Sequence, residues 1–242
     1  MSVVRVSRES RKTKRPKKRM PRLFARGGRD RVLVCLAVNG PLHVREIGRL
    51  IGSDARKTFD MVALLEQAGL VVKRDQPGFR KVVALDKALG QLYFQVGDLL
   101  RAMDKTWPVE RSDRSAPFFA KTPLRGRLPL DDQMMERWFC SVPRSRALLF
   151  VAAVGRTNMS DIVRRAEVGS VSAMYAVNYW EREGVFRSRM VGCHRIVELD
   201  EEFSLANELW TVLDALVRRS EKYRGFRAQA VELGPYTRRG NL

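Results

Sequence analysis

Cysteine and histidine are scarce in this 242-residue chain: three cysteines, Cys35, Cys140 and Cys193, and two histidines, His43 and His194. An odd, widely spaced set of cysteines is no disulfide framework and reads as intracellular. Cys193 beside His194 lacks the four-ligand spacing of a structural zinc site, so no metal is expected. Long apolar runs are also missing. None approaches the roughly 18 to 20 residues of a spanning helix, and the opening MSVVRVSRESRKTKRPKKRMP lacks the apolar segment of a signal peptide. No membrane partner is expected. The chain has no phosphate-binding glycine loop ending in Lys-Ser/Thr and no Gly-x-Ser-x-Gly elbow. Asp131-Asp132 fits a helix start better than a nuclease carboxylate pair. Tyr236, near Arg238 and Arg239, has no recognisable supporting His/Arg set. Neither an enzyme nor a cofactor is expected.

Positive charge is what the chain has in excess. Lys plus Arg number 46 against 27 Asp plus Glu, a formal net charge of +19. The usual partner of such a surplus is nucleic acid. The charge is densest over residues 1–28, where Glu9 is the single acid. That density, with Pro16 and Pro21, predicts a disordered basic arm. Lys12, Lys14, Arg15, Lys17, Lys18 and Arg19 are its candidate phosphate contacts. A nuclear-import signal is the other reading of this run, for a eukaryotic source. Otherwise a cytoplasmic, nucleoid-associated protein is expected.

An internal repeat then sets the fold. RDRVLVCLAVNGPLHVREIGRLIG (29–52) lies over RSRALLFVAAVGRTNMSDIVRRAE (144–167), matching Gly40 to Gly155, Ile47 to Ile162 and Arg49 to Arg164. The register holds to Gly69 and Gly184. It loses one residue in the second copy, and RKVVALD (80–86) then matches HRIVELD (194–200). Self-similarity of this kind is duplication of one structural unit.

Each copy carries the same predicted elements. A mostly apolar helix over 30–39 stops at Gly40, and its counterpart over 145–154 stops at Gly155. A second helix follows at 43–51 and 159–166. A third spans 55–68 and 170–183, the first copy capped by Asp54, with Thr58, Val62 and Leu65 or Ala173, Val177 and Trp180 turned inward. Two β-type runs flank Gln76-Pro77-Gly78, and two more flank Val191-Gly192-Cys193; each pair predicts a hairpin. Amphipathic helices at 87–103 and 201–219 close the copies and are expected to pack on each other. EIGRLIGSDARKTFDMVALLEQAGLV (46–71) resembles the helix-turn-helix core of the MarR/ArsR-type winged-helix superfamily. DIVRRAEVGSVSAMYAVNYWEREGVF (161–186) resembles it less closely: Ala166 replaces a large aliphatic residue and Glu167 stands at the turn glycine. The resemblance implies a mainly α fold with small β-hairpins, organised as tandem winged helix-turn-helix domains. The expected division is an arm at 1–28, domains at 29–104 and 143–224, a linker with a short helix at 105–142 and a tail at 225–242. Trp107, Phe118, Phe119, Trp138 and Phe139 suggest that the linker packs on the folded units.

In such a fold the third helix enters the major groove. The candidate base readers are Arg56, Lys57 and Asp60 in copy one, with Ser170, Ser172, Tyr175 and Asn178 in copy two. The candidate wing contacts are Lys73, Arg74, Arg80 and Lys81, then Arg187, Arg189 and Arg195. Ordinary solvated charge is the competing reading of these residues. The expected partner is double-stranded DNA, bound by a bacterial transcription regulator, with one chain acting as a pseudo-dimer. Two alternatives stand beside it. One is a plasmid or mobile-element replication or partition initiator. The other is an interaction module in a DNA-associated complex, with a protein partner on copy two or the closing helices.

Overall fold

The computed structural model describes residues 20–24, 28–76, 79–89, 91–111 and 131–232. The chain is mainly helical with two small antiparallel sheets. The first series of elements is α1 (Arg29–Asn39), β1 (Leu42–His43), α2 (Val44–Ile51), α3 (Ala55–Gln67), β2 (Val71–Gln76), β3 (Phe79–Leu85) and α4 (Gln91–Thr106), with a short 3-10 turn at Lys87–Leu89. A four-residue helix, α5 (Asp132–Met135), stands between the series. The second is α6 (Val142–Val154), β4 (Arg156–Asn158), α7 (Met159–Arg165), α8 (Ser170–Arg182), β5 (Phe186–Val191), β6 (His194–Leu199) and α9 (Ala206–Arg219). Both sheets put the last strand in the middle, in the orders β1-β3-β2 and β4-β6-β5. Leu42 pairs with Val83, and Thr157 with Val197.

Local chemistry explains the matching plan. Helices α1 and α6 are apolar around most of their circumference and form the centre of each series. Asp54 caps α3, its Oδ1 accepting the Lys57 N–H at 2.8 Å. Thr58, Val62 and Leu65 are buried, as are Ala173, Val177 and Trp180. Each third helix closes in the same way: the Leu70 N–H reaches the Leu65 carbonyl at 3.0 Å, and the Val185 N–H reaches Trp180 at 2.8 Å. Gly69 and Gly184 supply the positive φ that this closure needs. Gly52 turns the chain between α2 and α3 at φ 66°. Its counterpart Glu167 takes φ 54° with a side chain in place. That costs about 1 kcal/mol or more. Lys222 Nζ holds the Glu167 carboxylate at 2.7 Å, and Arg146 Nη1 donates to its carbonyl at 3.0 Å. These contacts offset the strain.

The two series are joined in two places. Helix α4 packs against α9, as expected of the closing helices. Arg219 Nη1 adds a hydrogen bond to the Leu89 carbonyl at 3.1 Å. The second joint is the segment around α5. Trp138 Nε1 donates to the Ala68 carbonyl, at the end of α3, at 2.9 Å. The neighbouring Phe139 ring lies 6.5 Å from that of Trp180 on α8. Trp138 and Phe139 are both fully buried, so this part of the expected linker belongs to the core. Trp107 packs partly against it, and Phe118 and Phe119 lie outside the described residues.

Three expectations are corrected. The arm does not extend to residue 28: Leu23 and Phe24 are buried, and Phe24 stacks on Phe139 at 5.6 Å. Tyr179 donates its hydroxyl to the Arg22 carbonyl at 2.7 Å, and the Phe24 N–H donates to Asp30 Oδ1 at 2.8 Å. A short apolar anchor sits inside the basic stretch, and the surrounding charge conceals it. Residues 1–19, with the arm's candidate cations, lie outside the described residues. The expected tail likewise begins as structure. Helix α10 (Glu221–Glu232) crosses the boundary at 225 and packs on α6 and α9. Tyr223 is fully buried and donates to Glu136 at 3.2 Å, while Phe226 meets Phe150 edge-on at 5.2 Å. Finally, Phe203 and its neighbours at 201–205 form turns, and α9 starts later than expected, at Ala206.

Two stability measurements follow from these contacts. Trp138→Ala should lower the unfolding free energy by about 3 to 5 kcal/mol, read by urea denaturation. Trp138→Phe should cost less, on the order of 1 to 3 kcal/mol, because it leaves chiefly the Ala68 carbonyl unpaired. Asp30 predicts a pH dependence. Burial pushes its carboxyl up from 3.8 to about 7, against the pull of the Phe24 N–H, nearby backbone N–H groups and Arg29. The native state therefore keeps a proton that the unfolded chain has lost. The contribution of Asp30 to stability should be full below the ordinary carboxylate range, fall by up to about 1.4 kcal/mol per pH unit above it, and be lost above about pH 7. Asp30→Asn should remove this slope and be the more stable protein at pH 8.

Candidate nucleic-acid interface

The candidate face is built first from α2, the Gly52 turn and α3. With Thr58, Met61, Val62 and Leu65 facing the core, the opposite side of α3 must face solvent. Arg56, Lys57, Phe59 and Asp60 are all exposed there, within the first two turns. Arg56 and Lys57 have no acidic side-chain partner among the described residues. They stand at the positive end of the helix macrodipole, which adds to their own charge. The close approach of α2 to α3 depends on Gly48, where an added Cβ would meet Thr58 Oγ1 at 2.9 Å and the Ser53 carbonyl at 3.0 Å.

The β2–β3 hairpin contributes unequally. Arg74 and Lys81 are exposed. Lys73 is held by Glu66 of α3 at 2.6 Å, so the expected free wing cation is tied to the helix behind it. The backbone of Arg80 belongs to β3. The hairpin tip at 77–78 and the Arg80 side chain lie outside the described residues.

The second series presents a different chemistry at the matching place. Helix α8 exposes Ser170, Val171, Ser172, Met174, Tyr175 and Asn178. Asn178 is already engaged: its Oδ1 accepts from Arg195 Nη2 at 2.9 Å. Arg195 also pairs with Glu181 and donates to Ser188 Oγ at 2.9 Å. It therefore fastens the hairpin to α8, and it is not the free phosphate donor that was expected. Arg187 is exposed but likewise paired, 2.9 Å from Glu198, which also holds Arg156 at 2.8 Å. Burial opposes the charge on Glu198, but these two guanidinium groups bring its carboxyl below the ordinary range. The hydrogen bond to Glu198 raises Arg187 in turn. Of the three expected arginines, Arg189 alone is exposed with no acidic partner among the described residues.

Sequence reasoning missed two features here. Arg182 continues the exposed stripe of α8, four residues beyond Asn178, which the helical period could have shown. Met190 and Val191 are exposed on β5, which alternation alone does not reveal. No described group of three or more His, Cys, Asp or Glu is placed to hold a metal ion. No described helix is long and apolar enough to cross a membrane. Comparison with protein-family models, curated proteins and solved structures gives no match to this chain.

The division between tied and free arginines can be measured. Arg195→Ala should destabilise the fold by about 1 kcal/mol or more, because it strips Glu181 of its charged partner. Arg189→Ala should leave the thermal midpoint within about a degree, as expected of an exposed position without partners. Equal melting of the two variants would show that Arg195 does not fasten the hairpin.

Proposed function

We propose that the protein is a sequence-specific, double-stranded-DNA-binding protein, a transcription regulator built from two tandem winged helix-turn-helix units. The observation that carries this reading is the exposed, unpaired Arg56–Lys57 pair at the N-terminal turn of α3, directly after a glycine turn. Arginine in that position can donate two hydrogen bonds to guanine O6 and N7 in the major groove. Arg74 and Lys81 on the neighbouring hairpin suit phosphate contacts. Lys12, Lys14, Arg15, Lys17, Lys18 and Arg19 would add sequence-independent affinity. The partner must be strongly anionic to match a net charge of +19. The α4–α9 contact and the Trp138–Phe139 joint support one chain acting as a fused dimer.

Binding to duplexes selected from a random pool tests the reading. Arg56→Ala should cost about 1 to 3 kcal/mol on the preferred site and relax its preference at one base pair. Lys81→Ala should weaken all sequences alike and lower the salt dependence by about one contact. Removing residues 1–19 should flatten the slope of log K against log salt while keeping the site preference. A silent Arg56→Ala, with no sequence selected from the pool, would overturn the proposal.

A further inference from the structure

The outer face of α8 does not suit the chemistry proposed for α3. Val171, Met174 and Tyr175 follow one another at helical spacing, and Val171 and Tyr175 are each 62% exposed. In the register of the repeat they replace Arg56, Phe59 and Asp60. Met190 of β5 is 64% exposed and extends the same surface. It pairs across the hairpin with Arg195, whose side chain reaches Asn178 and Glu181 on α8. Cross-strand partners share one face of a sheet, so Met190 stands on the side of the hairpin that looks toward α8. Helix stripe and hairpin thus present exposed apolar side chains on one side, with Arg195 fastening the hairpin to the helix.

The unpaired charge that α8, β5 and β6 expose is positive. The acids of α8, β5 and β6 are Glu181 and Glu198, and arginines hold both. Arg182, four residues beyond Asn178 on the exposed stripe, and Arg189, on the hairpin's other face, are exposed without an acidic partner among the described residues. DNA offers such a surface little beyond the thymine methyl. A second copy of the chain would bring the same positive charge. An apolar stripe with spare positive charge is complemented by an apolar stripe with negative flanks. We propose that the exposed apolar face of α8 and the β5–β6 hairpin docks an acidic amphipathic helix of a partner protein, apolar stripe against apolar stripe. This goes beyond the DNA reading of α3 and does not depend on it.

The probes are three fluorescein-labelled synthetic peptides, titrated with the full chain and read by anisotropy. One carries leucines at i, i+3, i+4 and i+7 with glutamates on the flanks. The second has the same composition in scrambled order, and the third replaces the glutamates by lysines. The ordered glutamate peptide should bind about tenfold or more tightly than either control, a difference of about 1.4 kcal/mol. Tyr175→Ala and Met190→Ala leave the charge unchanged and alter exposed positions. Each should weaken that peptide about tenfold, with circular dichroism and thermal midpoint unchanged. Equal binding of the ordered and scrambled peptides, or no effect of the two substitutions, overturns the proposal. So does a loss of duplex binding in Tyr175→Ala as large as in Arg56→Ala, which would assign α8 to DNA. Self-association in sedimentation that Tyr175→Ala abolishes would assign the face to a second copy and overturn it equally. A silent Arg56→Ala beside intact peptide binding removes the DNA reading and leaves this one standing.

Discussion

The hydrogen bond from the Trp138 indole to the Ala68 carbonyl sets the relation between the two halves of the molecule. It ends α3 with a donor that the helix itself cannot supply. The next residue, Phe139, carries the joint to α8 through Trp180 and to the base of the arm through Phe24. One dipeptide therefore touches the C-terminal ends of both exposed helices. It is itself held in place: the Phe139 N–H donates to Ser145 Oγ at 3.0 Å, and that hydroxyl returns a bond to the Phe139 carbonyl at 2.9 Å. Glu136, nearly buried, lies 2.8 Å from Arg146 and accepts from Tyr223. A buried carboxylate with this many partners is costly to orphan. The α4–α9 contact alone would leave a hinge, and the α5 segment supplies the second point that opposes it.

The two series have diverged according to what each position must do. Across the crossing of their second and third helices, Gly48 and Thr58 in one correspond to Val163 and Ala173 in the other. The small residue has moved from one helix to its neighbour, as close packing at constant volume demands. The turn shows a different solution. Gly52 became Glu167, and the left-handed backbone remained because Lys222 and Arg146 hold the replacement. Lys222 belongs to α10, so the additional helix supports the turn where glycine was lost. On the exposed faces no such compensation is required. Arg56, Lys57 and Asp60 became Val171, Ser172 and Tyr175 without a packing constraint to resist the change.

Much of the architecture was legible because it is written in short-range terms. Helical period, Asp54 as a cap, and glycines at 40, 52, 69, 155 and 184 all act within a few residues of themselves. The hairpins were legible for the same reason. The joint was not, because Trp138 and Ala68 are 70 residues apart and nothing local singles out that carbonyl. The apolar anchor Leu23–Phe24 was hidden by the cations on either side. Helix α10 was cut by a boundary drawn through it, since Tyr223, Phe226 and Ala230 make too sparse a stripe to announce a helix. At the candidate interface, the residue types were readable and their availability was not. Lys73, Arg187 and Arg195 look like Arg74 and Arg189 in sequence, and only the folded chain gives the first three their carboxylates.

That distinction changes how the net charge should be used. A surplus of +19 describes the long-range field that draws a polyanion toward the molecule. It does not count contacts, because an arginine spent on Glu198 or Glu181 must break that pair before it can serve a phosphate. Among the described residues, exposed cations without carboxylate partners include Arg56, Lys57, Arg74 and Lys81 in the first series, and Arg182 and Arg189 in the second. In the first they accompany a polar helix face; in the second Arg182 adjoins an apolar one. The base of the arm lies with neither group. Arg22 donates its N–H to Glu183 and accepts from Tyr179, both beside the C-terminal end of α8. Residues 20–24, at the root of the arm, thus pack on the second series. Under the two proposals, one series would supply the side chains suited to bases, and the other, which carries the root of the arm, would present a face suited to protein.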